Sequence, residues 1–263
     1  MRLEDKVVVV TGGAGGIGKA LAERFARERP RHIAVADLNG EGARAAAEAV
    51  GGVGFQVDVS KEADIQRLVR ETEAAAGPID LFCSNAGIIE VDPDFDNAAS
   101  ASDTQWARAL GVNLMAHVYA ARAVLPSMIE RREGYLVNVV SAAGLLSQIG
   151  SATYSTSKHA AMGFAESLAI AHKDHGVRVS VVCPQAVQTA MSAGGIFMGA
   201  DVDGVASAEH VADAVVQGVE REEFLILPHP KVAEYVLNKA TNYNRWIGGM
   251  AKFRRQVRPR TQS

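Results

Sequence analysis

The sequence predicts an α/β fold, a doubly wound and largely parallel seven-stranded sheet with helices on both faces, and three observations predict it. Short runs rich in Val, Ile and Leu recur seven times, most of them near-continuously apolar. A strand covered on both faces needs such a run, whereas one wet face would impose alternation. Helical periodicity fills the gaps, and repeated right-handed β-α-β crossovers build an open sheet whose ligands sit beyond the carboxyl ends of its strands. A glycine-rich turn between the first strand and the first helix is placed where such sheets hold phosphate.

The first strand reads Val7 to Val10 and stops at Thr11-Gly12. Ile17, Leu21 and Phe25, every fourth residue, then mark a helix. Further strands are expected at His32 to Ala36, Gly54 to Val57, Leu81 to Ser84, Leu136 to Val140, Val177 to Val182 and Phe224 to Leu227. Ile65, Leu68, Val69 and Thr72 have the mixed three-and-four spacing of an amphipathic helix, and Asp92 to Asp103 reads as a polar surface loop. Val232, Val236, Ala240, Tyr243, Ile247 and Met250 predict one C-terminal helix over about 230–256, which packs on the sheet, closes over a site or pairs with a second copy. No linker or repeat divides the chain, so residues 1–263 are expected to form a single domain with a substrate lid over about 190–206.

Composition narrows the partners. With 27 Lys and Arg against 30 Asp and Glu the net charge is −3, which leaves no whole-chain field to hold a polyanion. No nucleic acid is expected as a partner. No apolar stretch approaches the length that spans a bilayer, so membrane insertion is not expected either, and a cytoplasmic location is. Cys83 and Cys183 lie in apolar runs, suiting buried thiols in a reducing compartment, and neither a disulfide framework nor a metal-ligand spacing is visible. The basic cluster Lys252, Arg254, Arg255, Arg258 and Arg260 reads as a solvated tail, with an anionic surface as the alternative.

The turn Thr11-Gly12-Gly13-Ala14-Gly15-Gly16-Ile17-Gly18 carries the first functional argument. Without Cβ atoms the backbone turns sharply and approaches a pyrophosphate, which then rests on free N–H groups at the positive end of the following helix. Asp37, nineteen positions after Gly18 and at the end of the second strand, suits the hydroxyls of an adenosine ribose and repels a 2′-phosphate. Leu38-Asn39 adds no cation, so NAD is the expected cofactor. The alternative is that Asp37 caps the helix near Glu41.

Tyr154 and Lys158, four apart in Tyr-Ser-Thr-Ser-Lys, share a helix face. A phenol with a pKa near 10 is a poor base at neutral pH, and a neighbouring ammonium favours its phenolate. Together with the glycine loop, this pair resembles the short-chain dehydrogenase/reductase family, with its NAD(P)-binding Rossmann fold, across nearly the full chain. The family's Thr-Gly-x-x-x-Gly-x-Gly is matched by Thr11, Gly12, Gly16 and Gly18, with Ile17 in the same turn. Asp58-Val59 resembles its adenine contact, and Asn85-Ala86-Gly87 its turn after the fourth strand. The resemblance implies a catalytic set of Asn113, Ser141, Tyr154 and Lys158, with Ser141 thirteen residues before Tyr154. Where the family commonly has Pro-Gly and a later threonine, this chain has Pro184-Gln185, then Val187 and Thr189 as contacts to the nicotinamide end.

What the resemblance implies is hydride transfer between nicotinamide and a carbon bearing oxygen. Tyr154 would exchange the proton, Ser141 would bond the substrate oxygen, Lys158 would favour the phenolate and hold the ribose, and Asn113 would hold a relay water. Structural alternatives are that Ser141 merely ends a strand and that Asn113 bonds backbone within its helix. Leu145, Leu146 and Ile149, with Met191, Ile196, Phe197 and Met198 beyond Thr189, predict an apolar substrate pocket, and Gly194-Gly195 a lid hinge. No Lys or Arg lies in 136–153 or 179–220, so an anionic substrate has no evident partner unless the C-terminal helix provides one. The expectation is an NAD-dependent dehydrogenase of apolar secondary alcohols or ketones, in a homodimer or homotetramer. The alternatives are a carbonyl reductase working in reverse and a non-catalytic NAD-binding protein.

Overall fold

The computed structural model describes residues 1–189 and 199–257. Strands β1 (Val7–Thr11), β2 (His32–Asp37), β3 (Val53–Gln56), β4 (Leu81–Ser84), β5 (Gly134–Val139), β6 (Val177–Val182) and β7 (Leu225–Ile226) form one sheet in the order β3-β2-β1-β4-β5-β6-β7. Every neighbouring pair is parallel. The chain winds outward from β1 to β3 and returns through β4 to β7, so the switch point lies between β1 and β4.

Helices α1 (Gly16–Ala26), α2 (Gly40–Ala49), α3 (Glu62–Ala76), α4 (Asp103–Leu110), α5 (Ala116–Arg131), α6 (Ala152–His172) and α7 (Ala208–Glu220) cover the two faces. Successive strand residues point to opposite faces, which is why the first strand must be apolar throughout. Val7 and Val9 enter a core with Ile65 of α3, Val124 of α5 and Leu168 of α6. Val8 and Val10 enter a second core with Leu21 and Phe25 of α1, Ala46 of α2 and Val215 of α7. Burying a side chain such as Phe25 contributes about 2–3 kcal/mol. The edge strand β3 departs from the expected pattern: with a neighbour on one side only, it leaves Val53 44% exposed.

Two elements differ from the sequence reading in ways that shape the site. Asn113 sits in a π turn, Gly111–Met115, between α4 and α5, and not in a continuous helix. The C-terminal stretch is two helices, α8 (Lys231–Thr241) and α9 (Tyr243–Gln256). Asn242 leaves helical dihedrals and its side chain accepts a hydrogen bond from Arg245 N, capping α9. No helix among the described residues is long and apolar enough to cross a membrane.

Candidate active site

A cleft of about 1160 Å3 runs along the carboxyl ends of the strands, from Asp37 and Asp58 at one end to α8 and α9 at the other. At the first end the glycine loop shapes the wall. Gly12 has φ +66°, and a Cβ there would fall 2.8 Å from Ala86 Cα. A Cβ on Gly18 would lie 2.0 Å from Gly12 O, so Gly18 lets α1 close on the loop. Gly18 stands behind the residues that line the cleft, where its missing Cβ permits this close packing. Gly15, Gly16 and Ile17 do line it. No side chain caps α1 and no acid occupies its first turn. An uncapped helix N-terminus bordering open space suits a pyrophosphate.

Asp37 is fixed by its surroundings: Ala14 N donates to Oδ2 at 3.0 Å and Asn39 N donates to Oδ1 at 2.9 Å. The cap of α2 is Asn39, which accepts from Gly42 N, so the capping alternative for Asp37 fails. Asp58 accepts from the Ser60 hydroxyl and backbone N–H, and these bonds hold its carboxyl below the usual range. Val59 and Leu38 border the same space. Asn85 lines the cleft but spends its amide nitrogen on Thr11 O and Gly12 O, at 3.0 and 3.2 Å, stapling β4 to the loop.

Around the switch point the structure brings the expected polar set together. Ser141 follows β5 and its hydroxyl accepts from Ala143 N at 3.1 Å, while Tyr154 stands in the first turn of α6. Burial pushes the Tyr154 phenol up, and the Ser141 hydroxyl pulls it down. Lys158, one turn along α6, is buried with Nζ 5.7 Å from the Tyr154 ring centroid and 3.2 Å from Val139 O, to which it donates. Burial pushes its ammonium down to about 8. A Cβ on Gly87 would lie 3.4 Å from both Lys158 Nζ and Asn113 Oδ1, so that glycine keeps a gap beside the lysine.

Asn113 itself is fully buried and does not line the cleft. Its Oδ1 accepts from Ile88 N at 2.9 Å, while Nδ2 donates to Ile88 O at 2.9 Å and to Ser157 Oγ at 3.0 Å. The side chain thus bonds Ile88 and Ser157, outside its own helix, which overturns the within-helix alternative. The side chain clamps the segment after β4 to α6, and the π turn aims it there. Behind it, the buried His117 lies 3.0 Å by Nδ1 from Asn138 Oδ1, and burial pushes its imidazole down to about 3.

The substrate end is built from distant segments tied by side chains. Asp92 Oδ1 accepts from Ala152 N, fastening the segment after Gly87 to the start of α6. Lys239 of α8 donates to Leu145 O at 2.7 Å and Leu146 O at 3.1 Å, pinning α8 on the loop after Ser141. Arg254 of α9 bonds Asp96 and Phe95 O and lies over the Phe95 ring. Gln185, in place of the family glycine, donates its backbone N–H to His229 Nδ1 at 3.2 Å, and Asp203 nearby holds Lys231 and Tyr235 at 3.0 Å each. Pro184, Val187 and Thr189 line the neighbouring wall. Leu146, Ile149, Trp246, Met250 and Phe253 make this end apolar, as expected. Met191, Gly194, Gly195, Ile196, Phe197 and Met198, and with them most of the expected lid, lie outside the described residues.

This end of the cleft holds a cation from the C-terminal arm, as the sequence reading allowed: Arg245 of α9 lines it. Sequence spacing could not place it, because its direction depends on the break at Asn242. The asparagine, a preferred capping residue, was the available signal.

Residues 6–195 match the family model described as short chain dehydrogenase. The chain is 35% identical over 233 residues to the 1-deoxy-11-beta-hydroxypentalenate dehydrogenase of Streptomyces exfoliatus, covering 86% of this chain and 84% of that one. It is 37% identical over 191 residues to the 3-oxoacyl-[acyl-carrier-protein] reductase of Bos taurus, covering 72% and 78%. Among solved structures, a short chain dehydrogenase/reductase from Burkholderia phymatum in complex with NAD superposes with TM-score 0.83 at 26% identity, covering 93% and 96%.

Proposed function

The chain belongs to the short-chain dehydrogenase family of NAD(P)-dependent oxidoreductases acting on alcohols and ketones, and from that premise we propose that it uses NAD and takes an apolar secondary alcohol or ketone. The observation that carries this reading is one cleft joining a fixed Asp37 carboxylate, an uncapped glycine turn, and the Ser141, Tyr154 and Lys158 cluster. Asp37 favours NAD: its oxygens are held in place for a ribose diol, and no Lys or Arg lines the cleft near it to neutralise an added phosphate. Gly12, Gly15 and Gly16 would hold the pyrophosphate, Asp58 and Val59 the adenine, and Lys158 the nicotinamide ribose.

A bound nicotinamide accepts or supplies the hydride. Tyr154 exchanges the hydroxyl proton with the substrate oxygen, and the Ser141 hydroxyl, in the same cleft wall, hydrogen-bonds that oxygen and holds it in reacting geometry. Lys158 offsets the burial of the phenol: while charged, its ammonium favours phenolate next to the ring. Asn113 acts one step back, by fixing Ile88 and the cleft wall. Apolar lining at the far end excludes water from the rest of the substrate.

The test is an absorbance assay in the NADH band with cyclic, steroidal and linear secondary alcohols, each with NAD and with NADP. Turnover of the larger apolar alcohols with NAD is expected. Turnover confined to NADP, or to short polar alcohols, would overturn the proposal.

A further inference from the structure

Charge is unevenly placed along the cleft. Its two lining carboxylates, Asp37 and Asp58, both stand at the adenosine end. Among the described residues, the one lining charge at the substrate end beyond Lys158 is Arg245. The other basic side chains that tie this arm to the body are engaged: Lys231 with Asp203, Lys239 with two carbonyls, Arg254 with Asp96. Arg245 is bonded through its backbone N–H, to Asn242, and among the described residues no carboxylate lies within 4.0 Å of its guanidinium.

Its setting sharpens that imbalance. Arg245 sits in the first turn of α9, which contains no acid, so the guanidinium adds to the positive end of a helix where a negative charge is favoured. Lys239 stands at the same junction with Nζ 4.9 Å from the Trp246 ring centroid, a second fixed cation without a carboxylate partner among the described residues. Its three hydrogens face Leu145 O, Leu146 O and His159 Nε2, so it contributes potential and no free donor fork. Between Tyr154 and this corner the wall is apolar, through Leu146, Ile149 and Met250.

We propose that Arg245 recognises a carboxylate carried by the substrate at the end remote from the reacting oxygen, so that the enzyme acts on apolar hydroxy or keto acids. The inference rests on the proposed dehydrogenase reading and names its substrate class. A guanidinium fork matches a planar carboxylate in a bidentate pair, and one free cation with a helix end suits a monoanion.

The test is a calorimetric titration of the NADH-loaded protein with adamantane-1-carboxylate and with its neutral carboxamide. The acid should bind at least about tenfold more tightly than the amide, the size of one charge-assisted hydrogen-bonded contact. Arg245→Gln should erase that difference by weakening the acid alone, Arg245→Lys should restore part of it, and added salt should weaken only the acid. Equal affinity for acid and amide, no binding of the acid, or an unchanged preference in Arg245→Gln would overturn the proposal. Failure of the parent reading looks different: it is the absence of NADH binding or of alcohol turnover, and the same titration on the cofactor-free protein still scores Arg245.

Discussion

The two ends of the cleft are held together by different means. At the adenosine end the positions are set by backbone: strand termini, a positive φ at Gly12, the Gly18 contact with Gly12 O, and Asp37 held between two peptide N–H groups. At the substrate end they are set by side chains that bridge remote segments, Lys239 to the loop after Ser141, Arg254 to the loop near Phe95, and Asp203 to Lys231 and Tyr235 of α8. A backbone-determined end tolerates little change, because a single Cβ collides with main chain. A side-chain-tied end can be retied, which suits the half that selects the substrate.

The sharpest way to break the comparison is at the meeting of the two ends. Tyr154→Phe should lower kcat by about 10^3-fold while leaving the Kd for NAD within about threefold, since it removes the proton-exchanging group and no cofactor-holding backbone. Retained turnover would remove the phenol from the mechanism. Next, Asp37→Ala should reduce the preference for NAD over NADP in kcat/KM by about tenfold to a hundredfold, the range for losing hydrogen bonds to a charged group. An unchanged ratio would mean that the adenosine end is read by something else.

A third effect concerns the packing beneath Lys158. The folded-state pKa of His117 is about 3 against 6.5 for a free imidazole, so the unfolded chain takes up a proton in that window which the folded chain refuses. Stability is therefore complete above pH 6.5 and is lost as pH falls, by about 2 kcal/mol near pH 5 from this group alone. His117→Gln should flatten the acid limb of a denaturation series measured between those pH values, and an identical slope would refute the assignment. The smallest effect is expected at the far end. Lys239→Met should raise KM several-fold with kcat nearly constant and lower Tm by a few degrees, reflecting about 1–3 kcal/mol from two ammonium–carbonyl bonds. A fall in kcat with unaltered KM would instead place Lys239 in the chemistry.

The same contrast explains what could be read from the sequence. The strand order and the glycine turn follow from local rules, because apolar continuity and missing Cβ atoms have one structural meaning each. Asp37 and the Tyr154–Lys158 pair were legible because a strand end and a helical turn fix where their side chains stand. Asn113 was misplaced because a π turn, which shifts the register of a helix by a residue, leaves no mark in periodicity. Spacing also could not show that Gly18 packs against Gly12 O, because that approach exists only once α1 has closed on the loop. Gln185 and Arg245 were out of reach because their placement depends on His229, 44 residues away, and on the break at Asn242.

That one-residue interruption at Asn242 separates two tasks that a continuous rod would have coupled. α8 answers to the rest of the protein through Val232 and Lys239, while α9, with no buried residue of its own, presents its inner side to whatever occupies the cleft. Substitutions on α9 can therefore reshape that side of the cleft while the Ser141, Tyr154 and Lys158 cluster, anchored by β5 and α6, stays in place.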